Sequence, residues 1–230
     1  GSGVEGAVLE IMNAGLAELE AHPVLARSPA PADLARFEAH SLIFARAFGR
    51  LLERRVARNL DRDAGELGQI ARIHLRIHQP FPRALEAALV RLGRPRAELE
   101  RLELDPAGQR VLEHAETALG ARDVPGAHVL LLSGLECLTQ LLARRGADLA
   151  AAAGGEAERF EARHDGHESL VFMGLRALSR WPDTQTAHVP EALAALFRDA
   201  APWLDTWAQP PPERRRERAR RRASRWGTGD

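Results

Sequence analysis

The sequence predicts an all-α protein, a compact bundle of about seven to eight helices. Apolar residues recur at the three- and four-residue spacing of a buried helical face along nearly the whole chain. The alternating pattern of half-buried strands is absent. Prolines and glycines gather in short clusters that cut the periodic stretches into helix-sized pieces.

Helices are expected near 4–20, 32–58, 64–79, 82–93, 107–120, 125–145, 156–181 and 189–207. The first stops before His22-Pro23. The second follows Ser28-Pro29-Ala30-Pro31 and ends in arginines, which suit the negative end of a helix dipole. The stretch 64–79 carries "IARIHLRIH", and 82–93 opens on Pro82 and closes at Gly93-Arg94-Pro95. Asp105-Pro106 and Asp123-Val124-Pro125-Gly126 mark the breaks before the next two, where prolines and glycines interrupt or cap helices. Gly154-Gly155 and Trp181-Pro182-Asp183 bound the seventh, and Pro190 opens the last. The expected organisation is a single domain over 4–209, a Pro/Arg-rich tail over 210–230, and Gly1-Ser2-Gly3 as a cloning remnant. No repeat of solenoid period stands out.

Composition removes several function classes. Every basic residue is arginine, so no lysine nucleophile or Schiff base is available. The single cysteine, Cys137, allows neither an internal disulfide nor a thiolate zinc site. No signal peptide and no apolar run long enough to span a bilayer are read, so a soluble, cytoplasmic protein without membrane contact is expected. The chain is neutral overall, with eight arginines against three acidic residues after position 209 and a body at −5. The tail reads as a solvated extension, with electrostatic contact to nucleic acid or an acidic partner as the sharper alternative. The acidic body and the lack of a nucleic-acid module leave nucleic acid outside the expected main function.

The stretch "LLLSGLECLTQLL", residues 130–142, holds one carboxylate, Glu136, the only one between Asp123 and Asp148. A charge on an otherwise apolar helix must be paired, protonated or metal-bound. Histidines supply candidate partners. His74 and His78 are four apart on one helix. His164 and Glu168 share a face that continues into Val171, Leu175 and Leu178, flanked by Glu161 and Asp165. Imidazole and carboxylate together suit iron, manganese or zinc. A buried arginine is the competing partner for Glu136. His22, His40, His114, His128 and His188 read as surface, capping or packing residues.

The segments "AHPVL", "ADLARFEAHSLIFARAFGRLL" and "PEALAALFRDAAPWLDTW" resemble the early and closing helices of the haem-oxygenase-like superfamily, which includes thiaminase II, pyrroloquinoline-quinone synthase and non-haem di-iron oxidases. The resemblance spans roughly residues 20–207 by helix order. In the di-iron branch it implies metal ligands at Asp63 of "NLDRDAG", His78 with His74 as substitute, Glu136, His164 and Glu168. Glu136 and His164 are the implied catalytic residues. The third place of the closing ligand motif holds Val171 where the family has histidine, and His167 could replace it only if the helix bent near Gly166.

The function this implies is a non-haem iron oxidase or oxygenase of a small bacterial metabolite, with one or two iron ions and dioxygen as co-substrate. Three alternatives stand beside it. One is metal-free acid–base chemistry at Glu136 with a histidine partner; thiaminase activity itself is not expected, because Cys137 faces away from Glu136. Another is haem binding with His74 as axial ligand, from a short similarity of "IARIHLRIHQPFPRALEAALVRL" to sensor globins. The last is a non-catalytic scaffold or partner subunit with a degenerate site. A homodimer follows from the resemblance only.

Overall fold

The structure, a computed structural model, describes residues 2–26, 33–58, 65–152 and 167–214, giving the backbone alone at Ser2, Ala152, His167 and Glu168. It is all-α. Helix α1 (Ser2–Glu20) and the short α2 (Pro23–Ala26) precede the long α3 (Leu34–Arg58). Then come α4 (Gly65–His78), α5 (Pro80–Arg91), the single turn α6 (Arg96–Leu99) and α7 (Pro106–Gly120). A continuous helical rod follows, made of α8 (Val124–Val129), a π-helical turn (Leu130–Leu135) and α9 (Glu136–Ala152). Helices α10 (His167–Leu178), α11 (Asp183–Thr186) and α12 (Val189–Asp205) complete the bundle, with a 3-10 turn at Thr206–Ala208.

Two elements organise the rest. Helix α3 packs against α4, α5, α7 and α9. The rod packs against α3, α7, α10 and α12, and α1 lies along α12. Because α3 has neighbours on several sides, residues 37–45 are buried without interruption. Aromatic rings tie α3 to the chain's end: Phe44 and Trp203 have ring centroids 4.8 Å apart, and His40 stacks on Trp207 at 4.8 Å. The predicted helix starts hold where an aspartate caps them. Asp105 accepts from the Gly108 N–H at 2.7 Å, and Asp123 from the Gly126 N–H at 3.0 Å.

Three expectations change. The helix expected to end near 145 runs on to Ala152, because Gly146 serves close packing: a Cβ there would lie 2.5 Å from Oε1 of Glu38 on α3. The rod Val124–Ala151 is therefore long and apolar enough to cross a bilayer by length and composition, contrary to the sequence reading. Its most apolar window is nevertheless 94% buried within the protein. The body also reaches past 209. Pro211 is buried, Glu103 N–H donates to the Pro212 carbonyl at 2.8 Å, and Arg214 N–H donates to the Arg101 carbonyl at 2.8 Å.

Glu38 is 2% exposed, and among the described residues neither carboxyl oxygen has a hydrogen-bond partner. Burial raises its pKa from 4.5 to about 8. Below pH 4.5 the folded and unfolded chains hold this proton alike. Between 4.5 and 8 the unfolded chain loses it and the folded chain keeps it, so stability falls as pH rises. Denaturant titrations should show Glu38→Gln gaining on the wild type by about 1 kcal/mol per pH unit across that window. A pH-independent difference would contradict the assignment. Asp105 also accepts from the Thr206 hydroxyl at 2.5 Å. Asp105→Ala should cost about 2 kcal/mol in the same assay, and Asp105→Asn less.

Candidate active site

The rod carries Glu136 through the middle of the bundle, fully buried at 0% exposure. Its partner is His74 of α4, 2% exposed, whose Nε2 lies 2.8 Å from Glu136 Oε2. Both groups are out of reach of solvent, so this bond offsets much of what burying the carboxylate costs. The π-helical turn just before Glu136 sets its direction. Eight residues of plain α-helix would leave positions 128 and 136 about 80° apart; the one extra residue absorbed by the wide turn brings them within about 20°. Small residues let neighbours close on that turn. At Gly134 an added Cβ would meet Leu193 and Leu196 of α12 at 3.1 Å, and at Gly174 of α10 it would collide with the Ser133 hydroxyl. Ser133 donates to the Val171 carbonyl at 3.0 Å, fastening α10 to the turn.

Two further buried polar side chains adjoin the pair. Arg55 of α3 is 2% exposed and His128 of α8 is 3% exposed. With His74, Leu52, Ile70, Ala71, Leu131 and Leu132 they line a cavity of about 10 Å³, the room of roughly one water molecule. Burial, reinforced by the Arg55 charge, pushes the His128 pKa down to about 3, against the opposing pull of the Met173 carbonyl. His128 is thus neutral at physiological pH, and its Nε2 is buried without a partner among the described residues. The sequence reading missed both residues. Arg55 had a signal, since it falls on the apolar stripe Phe48, Leu51, Leu52 of its own helix. His128 had none beyond the apolar run that follows it.

The candidate residues divide as follows. His74 and Glu136 are brought together. His78, fully buried, meets a different partner: its Nε2 lies 2.7 Å from the Ala45 carbonyl, and its ring sits edge-on to Phe48 at 4.8 Å. The expected ligand His78 therefore spends Nε2 on clamping α4 to the backbone of α3. Asp63 and His164, and the side chain of Glu168, lie outside the described residues. Val171, in the place of the expected histidine, is a core residue at 4% exposure. Cys137 is buried with its pKa pushed up to about 12, which makes it a poor nucleophile.

Among the described residues no group of three His, Cys, Asp or Glu side chains is placed to enclose a metal ion. Imidazole nitrogen and carboxylate oxygen are donor types that iron accepts, and the 2.8 Å between them here is a hydrogen-bond length. An ion would take the place of the proton shared by the two groups.

His74→Ala leaves Glu136 buried without its imidazole and should lower unfolding stability by about 3–5 kcal/mol in urea titrations. Glu136→Gln, which keeps the shape and removes the charge, should cost less than half as much. Equal losses would mean that the carboxylate's charge is not what His74 answers. A comparison of the chain with protein-family models, with curated proteins and with solved structures finds no match.

Proposed function

We propose that the chain is a non-haem iron-dependent oxidase or oxygenase of a small metabolite, built on a haem-oxygenase-like bundle. The observation that supports this reading is the fully buried His74–Glu136 pair, an imidazole and a carboxylate of ligand type inside an apolar bundle. His74 and Glu136 would hold the ion from α4 and α9, with Asp63, His164 and Glu168 as the sequence candidates for the remaining positions. Bound iron would supply the electrons that activate dioxygen. The chain's own part is physical: Glu136 balances positive charge where no solvent can, His74 fixes the position of its carboxylate, and Leu52, Leu131 and Leu132 keep water out. The haem alternative gains nothing from His74, whose Nε2 is directed at Glu136 beside a cavity of about 10 Å³.

Arg55 favours a second reading within the same fold. A buried guanidinium in the cavity wall beside His74 supplies positive charge without any metal, and it suits metal-free acid–base chemistry by His74 and Glu136. Anaerobic Fe(II) titration of the protein separates the two. The iron reading predicts binding of one or two equivalents in the wild type and at least tenfold weaker binding in both Glu136→Ala and His74→Ala. Wild-type protein that takes up no iron contradicts it and leaves the metal-free reading.

A further inference from the structure

Helices α4 and α5 form an outer layer of the bundle, packed mainly on α3. They run end to end as one nearly continuous helix. Gln79, the residue between them, has helical backbone angles (φ −51°, ψ −39°), and its N–H donates to the Leu75 carbonyl at 3.0 Å. The buried positions stay in phase through the junction: Leu67, Ala71, His74 and His78 are followed by Phe81, Leu85 and Leu89.

The opposite side of this helix is cationic. Arg72, Arg76, Arg83 and Arg91 are all exposed, and none has an ion-pair partner among the described residues. In plain helical geometry they fall, with Ile73 and Val90, inside an arc of about 100° that runs for about 30 Å opposite the buried positions. Ile73 and Val90 are each 42% exposed. The only carboxylate between positions 69 and 91 is Glu86, which lies off this arc and is held by Arg46 at 2.7 Å and by Arg96 at 2.9 Å. Four cations without counter-charges call for an anionic partner, and aliphatic side chains left in water among them call for one with an apolar layer within reach.

We propose that this stripe is a docking surface for an anionic phospholipid bilayer, lying flat on it with the four guanidinium groups among the phosphates and Ile73 and Val90 in the acyl boundary. Arginine stems lie along apolar surface while their heads stay with the phosphates, so the two residue types serve one contact. Nucleic acid would use the arginines and leave both aliphatic side chains wet, and the stripe has no aromatic ring for base stacking, since Phe81 is buried. An acidic peptide helix would need a groove, and the outer side of a single helix is a ridge. The expectation of no membrane contact came from the lack of a spanning run, which a helix lying on the surface does not need. The contact is independent of the iron reading and stands or falls separately.

Flotation of the full chain with lipid vesicles is the test. The protein should float with phosphatidylcholine vesicles that contain about 30% phosphatidylglycerol and not with phosphatidylcholine alone, and salt at about 0.5 M should release it. The double variant Arg76→Gln/Arg83→Gln should bind about twentyfold more weakly. Ile73→Ser/Val90→Ser, which leaves the charge unchanged, should bind several-fold more weakly. Thermal unfolding checks that each variant is folded; if the first pair is not, Arg72→Gln/Arg91→Gln reads the same stripe. No flotation, or equal flotation with both kinds of vesicle, would overturn the proposal. So would folded arginine variants that float like the wild type, which would move the contact to the Arg-rich tail, or a serine variant that binds unchanged. Tight binding to a duplex oligonucleotide without flotation would overturn it in favour of nucleic acid.

Discussion

A single carboxylate placed where water cannot reach it sets the terms for the centre of this bundle. Glu136 sits on the long apolar rod at zero exposure. An ionised group there is tolerated only with a partner of good geometry, and His74 provides one at 2.8 Å. Much of the surrounding structure follows from keeping those two side chains in register. Helix α4 must hold one height against α3 and the rod, and the π-helical turn must rotate Glu136 toward α4. Gly134 and Gly174 must stay small so that α12 and α10 can close over that turn.

The two histidines of α4 show how one sequence motif divides into two physical jobs. They are four residues apart and nearly aligned on one helix face, so spacing alone makes them equivalent. The neighbours make them different. His78 meets α3 and hydrogen-bonds the Ala45 carbonyl; His74 meets the rod where the carboxylate is. The first ties α4 to the backbone of α3, and the second ties α4 to the buried carboxylate of the rod.

Much of this was legible in advance. Helix periodicity, the Asp-Pro starts and the need of Glu136 for a partner could all be read from residue types and spacing. The choice between His74 and His78 could not, because it depends on which helix each one meets. The extension of α9 past Gly146 was hidden because a glycine late in a helix is usually a stop, and here its missing Cβ makes room for Glu38 instead. Arg55 and His128 were missed for a related reason: an arginine on an apolar stripe and a histidine before an apolar run look like ordinary surface until the fold wraps them. The pairing of residues 101–103 with 212–214 leaves no periodic trace at all.

The most direct test of the central claim is anomalous diffraction at the iron edge from crystals loaded anaerobically with Fe(II). If iron binds as proposed, the peak should lie against His74 and Glu136, in place of the hydrogen bond between them. A His74–Glu136 bond that persists at 2.8 Å in loaded crystals, with the anomalous peak elsewhere or absent, would contradict it.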